Sequence, residues 1–454
     1  MSNRIAWWLA LIWWLVVFFL GTLGGSATGP AAVGQQPAPP RQLPASVQQA
    51  GFTSPPVSPA VAPPGLKLAD LPPAAQEILR GARGGTEWLC RAHQPSGRFL
   101  PGWRPDLHEP VEGDHFLRQA GATLALARSA RVFQDERYAA RARQAVLTLL
   151  AETGPDPSDP ASRCTTLPSA VVNRLGAAGV LLAAICELPD PAKDLLDQGE
   201  ELARFIARRQ QPDGSFRCTD TPEEVADPDG VNHHPGAALY GLMRSQALRP
   251  APWKAEAARK ALGYYRTWWR DEKHKHPAFA ASQSAAFAEA FVQSKGWTAN
   301  RQADPAYAAF VFELCDWLCT LQVRQLDPRH PLWRGGFPEF AQGRPLPGAP
   351  TATSAVYAAA LVEACRVTRQ LPDAERYNRY GDSAFGALQF MTTLQYTEAN
   401  TQHFAPAYRQ QVLLGGFHTS HEDGTLRLEH TGQAVTSLVR YWECVAQPEL
   451  ATKK

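Results

Sequence analysis

Four polar stretches of the chain gather side chains that can move protons or hold an anion. DLHEPVEGDHFLRQ supplies His115, Arg118 and Gln119, and DPDGVNHH supplies Asn232, His233 and His234. LWRGGFPEF contributes Trp333 and Glu339, and GGFHTSHEDGTLRLEHTGQ contributes His418, Glu429, His430 and Gln433. Seven of the twelve histidines fall in these windows, so imidazole is concentrated where polar loops give way to apolar segments. Imidazoles exchange protons near neutral pH, carboxylates act as acid, base or nucleophile, and a guanidinium neutralises a developing or resident negative charge. We therefore assign candidate catalytic roles to His115, Arg118, His233, His234, Glu339, Glu429 and His430. Gln119, Asn232, Trp333, His418 and Gln433 are assigned to substrate binding through their amides, imidazole and indole face.

Each assignment has a structural counterpart. Asp114 is placed to cap the helix after it. Arg118 and Gln119 can pair with loop carboxylates, and the acid of Glu429 suits a helix amino terminus without any catalytic role. Glu289 and Glu363 stand inside apolar segments, where an unpaired carboxylate is costly, so they must be paired, protonated or facing a wet cavity. Trp103, Phe337 and Phe417 are expected to pack in the core rather than to stack on a ligand. No HExxH-type or paired-cysteine spacing supports a metal, and Cys315 and Cys319 read as buried thiols; no cofactor is expected. Cys164 and Cys218, both in loops, are the first choice for a bridge in an exported chain.

The elements that must position these residues are helical. About twelve segments are expected, at roughly 71–93, 116–133, 136–152, 168–187, 192–211, 234–248, 253–271, 280–295, 304–325, 351–369, 374–397 and 430–446, with no strand of useful length. They alternate in character. Even members carry runs such as LGAAGVLLAA, PGAALYGL and TSAVYAAALVEA, small and apolar nearly all round, as helices covered on every side require. Odd members are amphipathic, and Asp135, Asp304 and Asp373 precede three of them as amino-terminal caps. Helix ends repeat too: Gln94 stands before Gly97 and Phe99, Gln211 before Gly214 and Phe216, Gln322 before Gly336 and Phe337, and Gln395 before Gly416 and Phe417. The first two intervals each match about two hairpins of about sixty residues.

Residues 5–23, IAWWLALIWWLVVFFLGTL, form an uncharged apolar run long enough to cross a bilayer, with Arg4 on its amino-terminal side. Anchor and cleaved signal both stay open, and either exports the rest of the chain. Residues 24–65 are rich in Pro and Ala and read as a disordered tether, 66–446 as the folded domain and 447–454 as a tail. The net charge of +2, without a basic stripe, gives no reason to propose nucleic acid as a partner.

QQPDGSF resembles the repeat motif of squalene cyclases and protein prenyltransferases, in which a helix-ending Gln and a Gly-x-aromatic pair tie neighbouring turns together. The resemblance implies an all-α (α/α)6 toroid, a barrel of about six helical hairpins, shared with polysaccharide lyases, six-hairpin glycosidases and sugar epimerases. The chain has neither the Asp-x-Asp-Asp acid motif of the cyclases nor an Asp-x-Cys zinc anchor of the transferases, so neither chemistry carries over. In such a barrel the loops entering the inner helices share one mouth, where a ligand meets helix amino termini.

The expected activity is action on a carbohydrate at that mouth, in lyase, epimerase or glycosidase fashion. Asn232, His233 and Tyr240 resemble the Asn/His/Tyr set of lyases with this fold, but His233 and Tyr240 lie about 10 Å apart along one helix. A glycosidase instead needs Glu112 or Asp114 opposite Glu339 or Glu429. An active site requires His115, His234, Glu339 and His430 to meet in one pocket. The alternative is a glycan- or peptide-binding scaffold of the same fold that turns nothing over.

Overall fold

Small-residue helices need cover on both sides, and the chain supplies it by closing them into a ring. The computed structural model describes residues 62–220, 230–297, 299–341 and 343–452. The apolar run 5–23, nearly all of the Pro/Ala-rich stretch, Asp227 and Asp229 lie outside the described residues. Among the described residues no helix is long and apolar enough to cross a membrane.

Twelve long helices alternate between an outer and an inner layer among the described residues. The outer ones are α1 (Pro73–Ala92), α3 (Glu136–Ala151), α5 (Lys193–Arg209), α7 (Pro252–Trp269), α9 (Pro305–Leu321) and α11 (Ala374–Thr393). The inner ones are α2 (Phe116–Phe133), α4 (Arg174–Glu187), α6 (Gly230–Leu248), α8 (Pro277–Ser294), α10 (Ser354–Thr368) and α12 (Leu428–Tyr441). Each inner helix packs on the next, and α12 packs on α2, so the inner layer is a closed barrel. This is the (α/α)6 toroid. Ala and Gly make the close approach possible: a Cβ on Gly241 of α6 would lie 2.3 Å from the carbonyl oxygen of Gly179 on α4. Asp135, Asp304 and Asp373 cap α3, α9 and α11 as expected, accepting from the amides of Arg137, Ala306 and Arg376.

The repeated helix ends are clasps between successive outer helices. Gln322 Nε2 donates to the carbonyls of Gly335 and Ser383, and Gln395 Nε2 to those of Gly415 and Gly81. In the second clasp the amide belongs to Gln210, which donates to Gly214 and Ala257, while the Gln211 side chain only reaches Ser215 Oγ. The clasp glycines are Gly97, Gly214, Gly335 and Gly415, all in left-handed backbone with φ from +85° to +96°. At two positions the expected register is therefore one residue late, because the left-handed residue precedes Gly336 and Gly416. The first clasp has no glutamine at the bridging position: His93, not Gln94, bridges Phe99, and its buried Nε2 has no hydrogen-bond partner among the described residues. The clasp at Gly415 seats on Gly84 of α1 and so ties the last outer helix to the first.

Short strands decorate the mouth, which departs from the expectation of a strand-free domain. The loop before α2 carries β1 (Gly102–Arg104) and β2 (Glu109–Pro110), and a hairpin before α4 carries β3 (Thr153–Asp156) and β4 (Asp159–Thr165). A small hairpin before α10 forms β5 (Phe340–Ala341) and β6 (Arg344–Pro345), and β7 (His418–Ser420) and β8 (Asp423–Arg427) precede α12. An antiparallel sheet in the order β2-β1-β8-β7, with Trp103 opposite Leu426, staples the entrances of α2 and α12 together. Trp103, Phe337 and Phe417 are buried, as expected of core residues. Cys164 is a buried thiol and Cys218 Sγ donates to the carbonyl of Phe216, so the expected bridge between them is absent. Cys315 and Cys319 are buried thiols.

Candidate active site

A barrel whose inner helices face one another with Ala, Gly and Val leaves its axis unfilled. The result is a cavity of about 460 Å³ with walls formed by residues such as Gly121, Val180, Ala237, Ala281, Ala359 and Gly432. Its volume lies in the range of small-molecule sites. Polar groups occupy its two ends.

At the mouth stand Arg118 on α2, His233 and His234 on α6, Ser282 on α8, and Glu429 and Gln433 on α12. Arg118 Nε lies 3.4 Å from Glu429 Oε1, an ion pair between the two helices that the mouth sheet joins. The other carboxylate oxygen, Oε2, is buried without a hydrogen-bond partner among the described residues. It is thus an acceptor held in place by one cation. Glu429 also sits in the first turn of α12, where the helix dipole favours a negative charge. His233 and His234 belong to α6 rather than to a loop, because that helix begins four residues before the expected His234. Pro235 is accommodated near its start, where Ser282 Oγ donates to the carbonyl of Asn232 at 2.9 Å. The His234 ring lies against Gly176 of α4, where an added Cβ would come within 2.4 Å of Nδ1. His233 is exposed at the rim and approaches His276, with ring centroids 6.4 Å apart.

Five of the twelve assigned residues line this cavity: Arg118, His233, His234, Glu429 and Gln433. The others serve elsewhere. His115, not Asp114, caps α2 by accepting from the amide of Leu117, and its pKa is lowered by burial and by Arg118. Asp114 pairs with Arg98 at 3.1 Å and accepts from Gln119, whose amide otherwise brackets both backbone groups of Phe99. Gln119 is therefore a brace for the first clasp. Asn232 is buried behind His233, and Glu339 accepts from Thr351 Oγ1. Trp333 stacks on His330 with centroids 3.9 Å apart, and His418 contacts Ser420 and Tyr396. His430 does not line the cavity; burial and Arg427 hold its imidazole down to about 4, so it is neutral at physiological pH. Of the expected quartet His115, His234, Glu339 and His430, only His234 lines the cavity.

The floor is made of charges. Arg244 joins Glu187 and Glu289 at 3.2 Å each, Arg366 joins Glu289 and Glu363 at 2.9 and 2.8 Å, and Arg440 joins Glu363 and Glu443 at 2.5 and 2.9 Å. Arg131 closes the circuit between Glu443, at 2.9 Å, and Glu187. The belt draws on the carboxy-terminal halves of all six inner helices. Burial pushes the Glu289 carboxyl up, but Arg366 and Arg244 outweigh it and hold it down to about 2. Glu289 and Glu363 are thus paired, and Glu363 also borders the cavity. Sequence reading singled out those two acids but missed Arg128, Arg131, Glu187, Arg244, Arg366 and Arg440. The signal was the same in each: a charge set in an apolar inner helix.

No family model and no curated protein sequence matches the chain. Solved structures do match in fold. An unsaturated glucuronyl hydrolase specific for heparin aligns at a TM-score of 0.55 and 16% identity, over 81% of this chain and 97% of that one. The cellobiose 2-epimerase of Bacillus thermoamylovorans B4167 aligns at 0.57 and 11% identity, over 80% and 98%. An inactive variant of an α-1,6-mannanase of Salegentibacter sp. HEL1_6, solved in complex with α-1,6-mannotriose, aligns at 0.53 and 9% identity, over 80% and 98%. These similarities are to toroid enzymes, and they bear on the architecture.

Proposed function

We propose that this protein binds a carbohydrate in the axial cavity and acts on it by proton transfer at the mouth. The observation that carries this reading is the cavity itself. It is walled with Ala and Gly yet rimmed at one end by two imidazoles, a guanidinium and a carboxylate with one unpartnered oxygen. Glu429 serves as the proton acceptor or donor, His234, seated against Gly176, as its counterpart across the barrel, and Arg118 as the group that offsets negative charge. Toroid enzymes that act on sugars support the substrate class: the aligned neighbours include a hydrolase, an epimerase and a mannanase with a bound trisaccharide.

The geometry favours a lyase or epimerase over a two-carboxylate glycosidase. The second acid that reaches the cavity, Glu363, is locked between Arg366 and Arg440, and Asp114 and Glu339 are engaged elsewhere. The quartet His115, His234, Glu339 and His430 that an active site was expected to require does not meet in one pocket, so the catalytic reading rests instead on Arg118, His234 and Glu429, and that failure favours a second reading, glycan binding without turnover. Both readings include export of the domain, with residues 5–23 either kept as an anchor or removed as a signal, on the strength of that apolar run alone.

Incubating the purified chain with neutral and uronic-acid polysaccharides separates the two. Epimerised products, detected by nuclear magnetic resonance, or shortened or unsaturated ones, detected by mass spectrometry and ultraviolet absorbance, are expected. Saturable binding with no product from any polymer would leave only the binding reading.

A further inference from the structure

The belt of charges under the cavity is balanced: four arginines alternate with four glutamates around a closed circuit. Arg118 and Glu429 balance each other at the mouth. Among the described residues that border the cavity, one cation is left over. Arg128, on α2 one turn above Arg131, also borders the cavity and adds a third arginine to Glu187, at 3.3 Å, beside Arg131 and Arg244. Its side chain is only 5% exposed, and its Nη2 donates to the hydroxyl of Tyr240, which lines the same floor. Helix carboxyl termini do not account for the surplus, since α2 runs on to Phe133 and the dipole acts mainly over the last turn. A buried positive charge without an equal counter-charge is costly unless an anion joins it.

We infer that Arg128, supported by Tyr240, is an anion-binding position at the bottom of the cavity, and that it selects a sugar bearing a carboxylate. This rests on the carbohydrate reading above and sharpens it to acidic sugars. Arg118 and Arg128 lie ten residues apart on α2, about 15 Å along its axis, so the cavity carries a cation at its mouth and, beside the paired Arg440, a second one at its floor. The belt links all six inner helices beneath the cavity, and in this reading it makes the site a blind one that takes the end of a glycan. The terminal uronate enters with its carboxylate toward Arg128, leaving the linkage to the next residue near Glu429 and His234. A guanidinium meets a carboxylate through two parallel hydrogen bonds, which a neutral hydroxymethyl group cannot reproduce.

Calorimetric titration of the full chain with D-glucuronate, its methyl ester, D-glucose and inorganic sulfate tests this without altering the protein. Glucuronate is expected to bind about tenfold or more tightly than the ester or glucose, the loss expected when a charged hydrogen-bonded pair is removed. Arg128→Lys, which keeps the charge on Glu187 but loses the fork, should erase most of that preference, and Tyr240→Phe part of it. Arg266→Gln, which loosens an ion pair with Glu313 between two outer helices and does not line the cavity, should retain it. Equal binding of glucuronate, ester and glucose would overturn the anion site and leave the carbohydrate reading standing. Loss of selectivity in Arg118→Gln but not in Arg128→Lys would overturn it too. Binding of sulfate but of no sugar would uphold an anion site at Arg128 while removing the carbohydrate it is inferred to read.

Discussion

Glu429 and Glu363 border the same cavity and make opposite predictions. Glu429 has one cation, Arg118, and one unpartnered oxygen, so its charge is available for chemistry. Glu429→Gln keeps the shape and removes the proton exchange; turnover should fall by about 10²- to 10⁴-fold with little change in urea unfolding. Glu363 is held by Arg366 and Arg440 at 2.8 and 2.5 Å. Glu363→Ala removes the carboxylate that two buried guanidinium groups share, leaving Arg366 with Glu289 and Arg440 with Glu443 alone, and chemical denaturation should show a loss of about 3–5 kcal/mol. Spacing alone could not separate these two glutamates. Both stand near small apolar runs, and only the partners arriving from distant helices decide that one is a structural link and the other a working acid.

The clasps show how an element tolerates a departure from its repeat. Three use a glutamine amide to bind two carbonyls; the first substitutes His93, sealed and unpartnered at Nε2. Burial, aided by Arg141, lowers the His93 pKa to about 4 from an ordinary 6.5. The unfolded chain therefore binds a proton in a range where the folded one does not, so stability falls as pH drops from about 6.5 toward about 4. This histidine should account for about 1–2 kcal/mol of the loss between pH 7 and about pH 5. In His93→Gln, which restores the amide of the other clasps, urea unfolding midpoints at the two pH values should lie closer together than in the parent chain. Gly415→Ala addresses the closing clasp. Its Cβ would fall 2.1 Å from the carbonyl oxygen of Gly84, in left-handed backbone, and the expected loss is about 2 kcal/mol or more by chemical denaturation. Sequence periodicity located these ends to within a residue, but Gln94 and Gln211 were chosen over His93 and Gln210. Adjacent polar residues at a helix end differ only in which one the backbone turns inward.

At the scale of the whole molecule, alternation of small apolar and amphipathic helices was enough to expect a closed double ring, because helices of Ala and Gly have no stable arrangement except between two neighbours. The mouth was harder. Its short strands pair loops more than three hundred residues apart, Trp103 with Leu426, and no local pattern announces such a pairing. Hence Arg118 and Glu429 were named as candidates but not as partners, while His115 and His430 were named for chemistry and Gln119 for binding, and they serve as a cap, a residue beside the site and a brace. The axial cavity follows from residue size alone, and it offers the cleanest test of what the ring is for. Gly121 of α2 lines that cavity, and a Cβ there would meet nothing within 4 Å. Gly121→Leu replaces a poor helix former by a good one, worth about 0.5–1 kcal/mol, while its side chain grows into the empty axis. The decisive measurement is glycan binding and turnover by Gly121→Leu beside its thermal unfolding midpoint. An equal or higher midpoint with binding and turnover reduced tenfold or more, by analogy with other occluded pockets, is the predicted result; unchanged binding and turnover in a folded variant would contradict a site in the barrel axis.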